Sequence, residues 1–233
     1  MFTQVFFTEG DSVSQLRMGL LDSSSLADTG TRFLSDEEAD IYKEFKVDKR
    51  RNEFLAGRYI AKECVRQVFP QLSANLINII HGVWGFPLIH TENLYHSTVS
   101  IAHTDNYAAA LFQTDNRYPA GIDIEEISEA NISALEHFIT EKERDLISAE
   151  NFSMLKSLHI MWSAKEAVAK ALKLGFNVPE DLYIISAIEM QEKMFHLYFE
   201  KLPMLKVVGW LQDDISICIA YPAIWNYKEK KER

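Results

Sequence analysis

Apolar and polar positions alternate along this chain with two different rhythms. Between Lys49 and Phe69 the apolar residues recur at Phe54, Ala61, Val65 and Val68, the spacing of one helix face. Pro70 closes that run, because proline cannot extend a helix. A second stripe, Leu158, Met161, Val168 and Leu172, predicts a helix over 151–174 with Gly175 as its C-cap. Residues 131–148 also read as a helix. Ser35, followed by Asp36, Glu37 and Glu38, reads as an N-cap with an acidic first turn and a capping-box glutamate.

Shorter apolar runs bounded by turn residues predict strands. Leu76, Ile77, Ile79 and Ile80 suggest one, before a loop punctuated by Gly82, Gly85 and Pro87. Thr98–Ala102 and Tyr107–Phe112 read as a hairpin with His103–Asn106 as its turn. Ile122–Glu125, Leu182–Ile188, Phe195–Phe199, Lys206–Trp210 and Ile215–Ala220 follow as strands, and the charged tail from Lys228 to Arg233 reads as frayed. Both halves run from helix to strands and close on an apolar strand. This predicts an α+β fold of two similar lobes related by a pseudo-twofold, spanning 1–115 and 116–233. Identity between the halves is too weak to prove the repeat.

Composition narrows the function. At 233 residues and 47% hydrophobic the chain can bury a real core. No apolar run reaches the roughly 18 residues of a membrane span, and the N-terminus lacks the basic and apolar blocks of a secretory signal. Cys64 and Cys218 lie singly in apolar segments, which suits reduced thiols in a cytoplasmic protein. A net charge of −10 argues against a nucleic-acid partner. The charge is not evenly spread. Residues 43–66 hold eight basic against four acidic side chains, and residues 115–150 hold ten acidic against three basic. Such a split suits a ligand that is anionic and metal-bound, although two solvated helix faces would look the same.

Three segments carry candidate chemistry. In Gly121–Glu125 (GIDIE) strand alternation sends Ile122 and Ile124 one way and Asp123 and Glu125 the other, with α-carbons roughly 6.5–7 Å apart. Two carboxylates so placed repel unless a cation lies between them, and Mg²⁺ suits them. In Trp162–Lys170 (WSAKEAVAK) helical spacing aligns Trp162, Glu166 and Lys170. Glu166 and Lys170 could be an exposed ion pair, or a metal ligand or base beside a phosphate-binding lysine. His103 sits at the hairpin turn, flanked by Ser100 and Thr104. No zinc pattern, Walker A loop, nucleophile elbow or dinucleotide fingerprint occurs.

The order RRNEFLAGR, Gly85-Phe86-Pro87, SIAHT, GIDIE, FITEKE and WSAKEAxxK, from Lys49 to Gly175, resembles the 4′-phosphopantetheinyl transferases in their larger, two-lobed, surfactin-synthetase-activating form. The resemblance implies transfer of the phosphopantetheine arm of coenzyme A to a serine of an apo acyl or peptidyl carrier protein, releasing adenosine 3′,5′-bisphosphate. It implies that Asp123, Glu125 and Glu166 hold Mg²⁺ and that Lys170 lies at the phosphates. It also implies that His103 contacts a phosphate, and that Arg51, backed by Arg50 and Arg58, meets the 3′-phosphate. Lys165 is a further candidate for that anion, and Glu166 for the general base. A monomer with its site between the lobes is expected. Phe86 stands where many members have lysine, and Ala102 where many have serine. A Mg²⁺-dependent phosphohydrolase and an inactive carrier-binding module remain as alternative readings.

Overall fold

A computed structural model describes residues 2–9, 12–26, 29–149, 153–175, 177–191 and 193–228. The fold is α+β, in two compact units. The first begins with strands β1 (Phe2–Glu9) and β2 (Ser12–Asp22), then helices α1 (Asp36–Glu44) and α2 (Asp48–Arg66). Strands β3 (Ile79–His81), β4 (Pro87–Ile89), β5 (Thr98–His103) and β6 (Tyr107–Gln113) follow. The second unit holds β7 (Gly121–Glu126), helices α3 (Ile132–His137), α4 (Glu141–Ala149) and α5 (Met154–Leu172), and strands β8 (Ile185–Gln191), β9 (Met194–Phe199), β10 (Leu205–Gln212) and β11 (Ile215–Pro222). The chain then returns to the first unit, where β12 (Asn226–Lys228) pairs antiparallel with β1.

That return changes the division expected from the sequence. The first unit is Met1–Tyr118 with Trp225–Arg233, and the second is Pro119–Ile224. The last strand belongs with β1 because its ladder partners are Phe6, Phe7 and Thr8. The sheets are ordered β12-β1-β2-β6-β5 and β7-β11-β10-β9-β8, with β3 and β4 forming a separate ribbon. The charged tail expected to fray lies outside the described residues from 229 onward.

In the first unit α2 turns Ile60, Ala61, Cys64 and Val65 onto Ala108, Ala110 and Phe112 of β6. The helix comes so close to β2 that a β-carbon on Gly19 would lie 2.6 Å from Ile60 Cδ1. In the second unit Met161, Ala164, Ala167 and Val168 of α5 pack on Cys218 and Ala220 of β11. A β-carbon on Gly121 of β7 would run into the backbone carbonyl of Ala167. Each unit therefore places a glycine where the helix packs closest on the sheet, against side chains at Gly19 and against the helix backbone at Gly121.

The Ser35 cap takes the form expected. The Glu38 amide donates to Ser35 Oγ, and the Ser35 amide donates to the Glu38 carboxylate. The single helix expected over 131–148 is two, because Thr140 repeats this capping box. The Thr140 amide donates to Glu143 Oε2 at 2.8 Å and the Glu143 amide to Thr140 Oγ1 at 3.3 Å. Helix α5 ends at Lys173, which takes the left-handed conformation (φ 58°) ahead of Gly175. A 3-10 turn over Glu180–Tyr183 replaces the start of the strand expected at Leu182. Among the described residues no helix is long and apolar enough to cross a membrane.

Candidate active site

The second unit gathers most of the candidate chemistry on β7 and α5. Ile122 and Ile124 are buried, while Asp123 and Glu125 turn toward α5. Residues at i, i+4 and i+8 share one helix face, so Trp162, Glu166 and Lys170 form a column facing the two carboxylates. Lys170 Nζ donates to Asp123 Oδ1 at 2.6 Å. Two turns earlier, Trp162 Nε1 donates to Glu125 Oε1 at 2.9 Å. The Trp162 ring is itself braced against Phe138, with centroids 4.5 Å apart.

The electrostatics are those of crowded acids. Burial, with help from the neighbouring Asp123 charge, pushes the Glu125 carboxyl up to about 7, against the bond from Trp162. Burial also raises Glu166; Lys170 opposes that rise and Asp123 adds to it. Burial alone would depress Lys170, but Asp123, Glu166 and Glu125 outweigh it and hold the ammonium above the ordinary lysine value.

The three carboxylates expected to hold a metal are neighbours but not a closed cage. Among the described residues no three His, Cys, Asp or Glu side chains converge as a metal centre. Lys170 occupies one oxygen of Asp123 and Trp162 one oxygen of Glu125. The donor chemistry still suits a hard cation. Asp123 Oδ2 is buried and has no hydrogen-bond partner among the described residues, and an ionised oxygen left so is normally met by a cation.

Lys165 does not serve this face. It is buried, and its Nζ donates to the Phe138 carbonyl at 2.6 Å and stands 2.8 Å from Glu143 Oε1. The expectation that it faces an anionic ligand is corrected: one residue of helix rotates it by about 100° from Glu166, into the interior.

In the first unit a cavity of about 310 Å³ is lined by Arg50, Arg58, His81, His103, Gly85 and Pro87, with Phe54 in its wall. Arg58 is buried, its guanidinium 4.6 Å from the Phe54 ring centroid. Its Nε and Nη2 have no hydrogen-bond partner among the described residues. Arg50 is tied to Glu53 at 2.9 Å. Arg51, the first choice from the sequence, is outside this lining. It donates from Nε to the Phe45 carbonyl at 2.8 Å and lies over the Tyr42 ring. The loop at Gly85 is a tight turn closed by the Gly82 amide on the Phe86 carbonyl at 2.7 Å, with Trp84 and Gly85 both at positive φ. Phe86 folds back over Gly82 and is outside the cavity lining.

The sequence reading missed His81 and the buried pair Glu38–Lys62. The pair had a signal. Ala61-Lys62-Glu63-x-Val65 in α2 repeats as Ala164-Lys165-Glu166-x-Val168 in α5, and Phe33-Leu34-Ser35 repeats as Phe138-Ile139-Thr140.

Known proteins place the chain. The profile described as the 4′-phosphopantetheinyl transferase superfamily matches residues 119–220, and the 4′-phosphopantetheinyl transferase N-terminal domain matches residues 36–113. A holo-[acyl-carrier-protein] synthase of Bacillus subtilis (strain 168) is 43% identical over 86 residues, covering 34% of this chain and 70% of its own. The 4′-phosphopantetheinyl transferase gsp of Aneurinibacillus migulanus is 31% identical over 163 residues, 70% of this chain and 65% of its own. Among solved structures, a holo-(acyl-carrier-protein) synthase from Bacillus anthracis in complex with CoA (3′,5′-ADP) aligns with a TM-score of 0.38 and 21% identity, over 47% of this chain and 96% of its own. The two profiles match in chain order, and the Bacillus subtilis relative is matched over most of its length. The chain therefore belongs to the 4′-phosphopantetheinyl transferase superfamily.

Proposed function

We propose that this protein transfers the 4′-phosphopantetheine group of coenzyme A to a serine hydroxyl of an apo acyl or peptidyl carrier protein, releasing adenosine 3′,5′-bisphosphate. The observation that carries the reading is the pairing of Lys170 with Asp123, beside a buried Asp123 oxygen with no hydrogen-bond partner among the described residues. Mg²⁺ would be held by Asp123, Glu125 and Glu166. When bound, it supplies positive charge to the pyrophosphate oxygens.

The chain's own residues cover the remaining needs of phosphoryl transfer, which are positioning and charge. The serine oxygen forms a bond to the phosphorus of the pantetheine phosphate. The bond from that phosphorus to the bridging oxygen breaks, and the electron pair leaves with adenosine 3′,5′-bisphosphate. Glu166 takes the serine proton; its raised pKa makes it a better base than an exposed glutamate. Lys170 stays charged and offsets the charge that builds on the leaving phosphate. Trp162 fixes the rotamer of Glu125. On the first unit, Arg58, Arg50 and His103 offer cations and donors to the phosphate groups of coenzyme A.

The test is incubation with coenzyme A, Mg²⁺ and a panel of apo carrier proteins, read by intact mass. A carrier heavier by one phosphopantetheine arm supports the reading. Hydrolysis of coenzyme A with no carrier gain points instead to a phosphohydrolase, and no reaction with any carrier points to a binding module.

A further inference from the structure

The two units carry the same buried lock. In the second, Glu143 accepts from the amides of Thr140 and Ile185, each at 2.8 Å, and pairs with Lys165, whose Nζ also reaches the Phe138 carbonyl. In the first, Glu38 accepts from the amides of Ser35 at 2.9 Å and Ile79 at 3.1 Å, and pairs with Lys62, whose Nζ also reaches the Phe33 carbonyl. Phe33 braces Tyr59 as Phe138 braces Trp162. In both units one buried carboxylate and one buried lysine tie a helix cap, a helix interior and a strand together.

The locks differ at one position. One helical turn before the lysine, α5 has Met161 in the core, and α2 has Arg58. Arg58 Nε stands 3.5 Å from Glu38 Oε1. That is within ion-pair range but too long for a good hydrogen bond, and both Nε and Nη2 have no hydrogen-bond partner among the described residues. The second unit shows that the lock is complete without an arginine. Arg58 is thus an addition: a second cation on one carboxylate, buried beside a cavity, with N–H groups unspent. An uncompensated buried cation is costly unless an anion meets it.

We propose that Glu38 is a positioning residue for cofactor binding, holding Arg58 at the cavity wall so that its free N–H groups receive a phosphate. This rests on the reading that the first unit binds coenzyme A through its phosphates. Glu38 touches no ligand itself. Its reach to Arg58, Lys62 and the Ile79 amide sets where the guanidinium sits relative to the ribbon of β3 and β4, which carries His81 and Pro87 into the same cavity.

The experiment measures dissociation constants of the full chain for coenzyme A and for dephospho-coenzyme A, which lacks only the 3′-phosphate, by calorimetry. Wild type is expected to prefer coenzyme A. Arg58→Met, which copies the arrangement of the second unit, should reduce that preference by about ten- to a hundredfold, the worth of hydrogen bonds to a charged group. Glu38→Gln should reduce it in the same direction and add nothing in the Arg58→Met background. Glu143→Gln, the mirror substitution, should lower thermal stability and leave the preference intact. Where Glu38→Gln does not fold, Glu38→Asp keeps the charge for Lys62, shortens the reach to Arg58 and gives the same comparison. A Glu38 variant that folds and keeps the full preference overturns the inference while leaving the functional reading in place. A wild-type chain that does not bind coenzyme A overturns the functional reading, and this inference with it.

Discussion

Lys170 Nζ lies 2.6 Å from Asp123 Oδ1, a contact that joins α5 to β7 where three acids crowd together. The pairing is more than a surface ion pair, because Asp123 is nearly out of water and Lys170 is only 29% exposed. Removing the ammonium takes away a counter-charge that Asp123, Glu125 and Glu166 share. Lys170→Met is therefore expected to lower kcat for carrier modification by about 10²–10³-fold, the scale of losing a charge-stabilising group, while the chain still unfolds cooperatively. Single-turnover kinetics with a saturating apo carrier checks this; a variant that turns over at the wild-type rate excludes Lys170 from the chemistry.

Lys165 sits next to Glu166 in sequence, yet its role is structural. Glu143 and Lys165 are 0% and 4% exposed in their side chains. Breaking such a pair by removing one partner leaves a buried charge uncompensated, at about 3–5 kcal/mol. Urea unfolding of Lys165→Met should show a loss on that scale. Lys165→Met with Glu143→Gln should recover part of it, because glutamine carries no charge to leave uncompensated and its one oxygen still accepts from one of the two amides that Glu143 serves, Thr140 or Ile185. If the double variant is as unstable as the single one, the loss comes from packing and not from charge.

How much of this could be read from the sequence depends on whether local pattern or distant contact decides. The Ser35 capping box, the hairpin at His103 and the D-x-E face of β7 follow from local spacing, and the structure has each of them. The break at Thr140 obeys the same capping rule as Ser35 and was within reach of it. The alternation of buried Leu16, Met18 and Leu20 also marks β2, although no strand was expected there. Other features had no local signal. A strand as short as β12 is defined by its partner β1. Arg50, Arg51 and Arg58 are equivalent as letters, and only the rotation of α2 sends Arg50 and Arg58 to the cavity and Arg51 to the Phe45 carbonyl. Lys165 looks like a surface lysine until Glu143 is found opposite it.

Burial also controls the two thiols. Cys64 and Cys218 are both pushed up to about 12 by desolvation, and neither is bonded to another sulfur. The thiolate is the reactive form, so both should resist iodoacetamide at pH 8 in the native chain and react once it is unfolded. The sign for stability follows. Unfolded thiols ionise from their ordinary value of 9.0, while the folded ones hold their protons, so stability is unaffected below about pH 9. It declines from there toward about pH 12. Counting labels by mass, with and without denaturant, decides the first point; fast native labelling of either cysteine contradicts it.

The glycine of the D-x-E strand links packing to chemistry. A β-carbon on Gly121 would strike the Ala167 carbonyl and lie 2.5 Å from the Ala171 amide nitrogen. Both are backbone atoms of α5, which cannot swing aside as a side chain would, so Gly121→Ala has to push helix and strand apart. Overpacking of this kind costs about 1–3 kcal/mol. Ala167 follows Glu166 directly, and Gly121 precedes Asp123 by two residues. The same displacement therefore stretches the bond from Lys170 to Asp123, which has only 2.6 Å to begin with. Gly19→Ala in the first unit makes the useful contrast: its β-carbon meets the tips of Ile60 and Cys64, side chains far in sequence from these acids. Both variants should lower the melting temperature. Gly121→Ala should in addition lower kcat well below what the remaining folded fraction accounts for, and Gly19→Ala should leave kcat per folded molecule close to wild type. Equal kcat per folded molecule in the two variants would mean that the seating of α5 on β7 does not set the geometry of the acids.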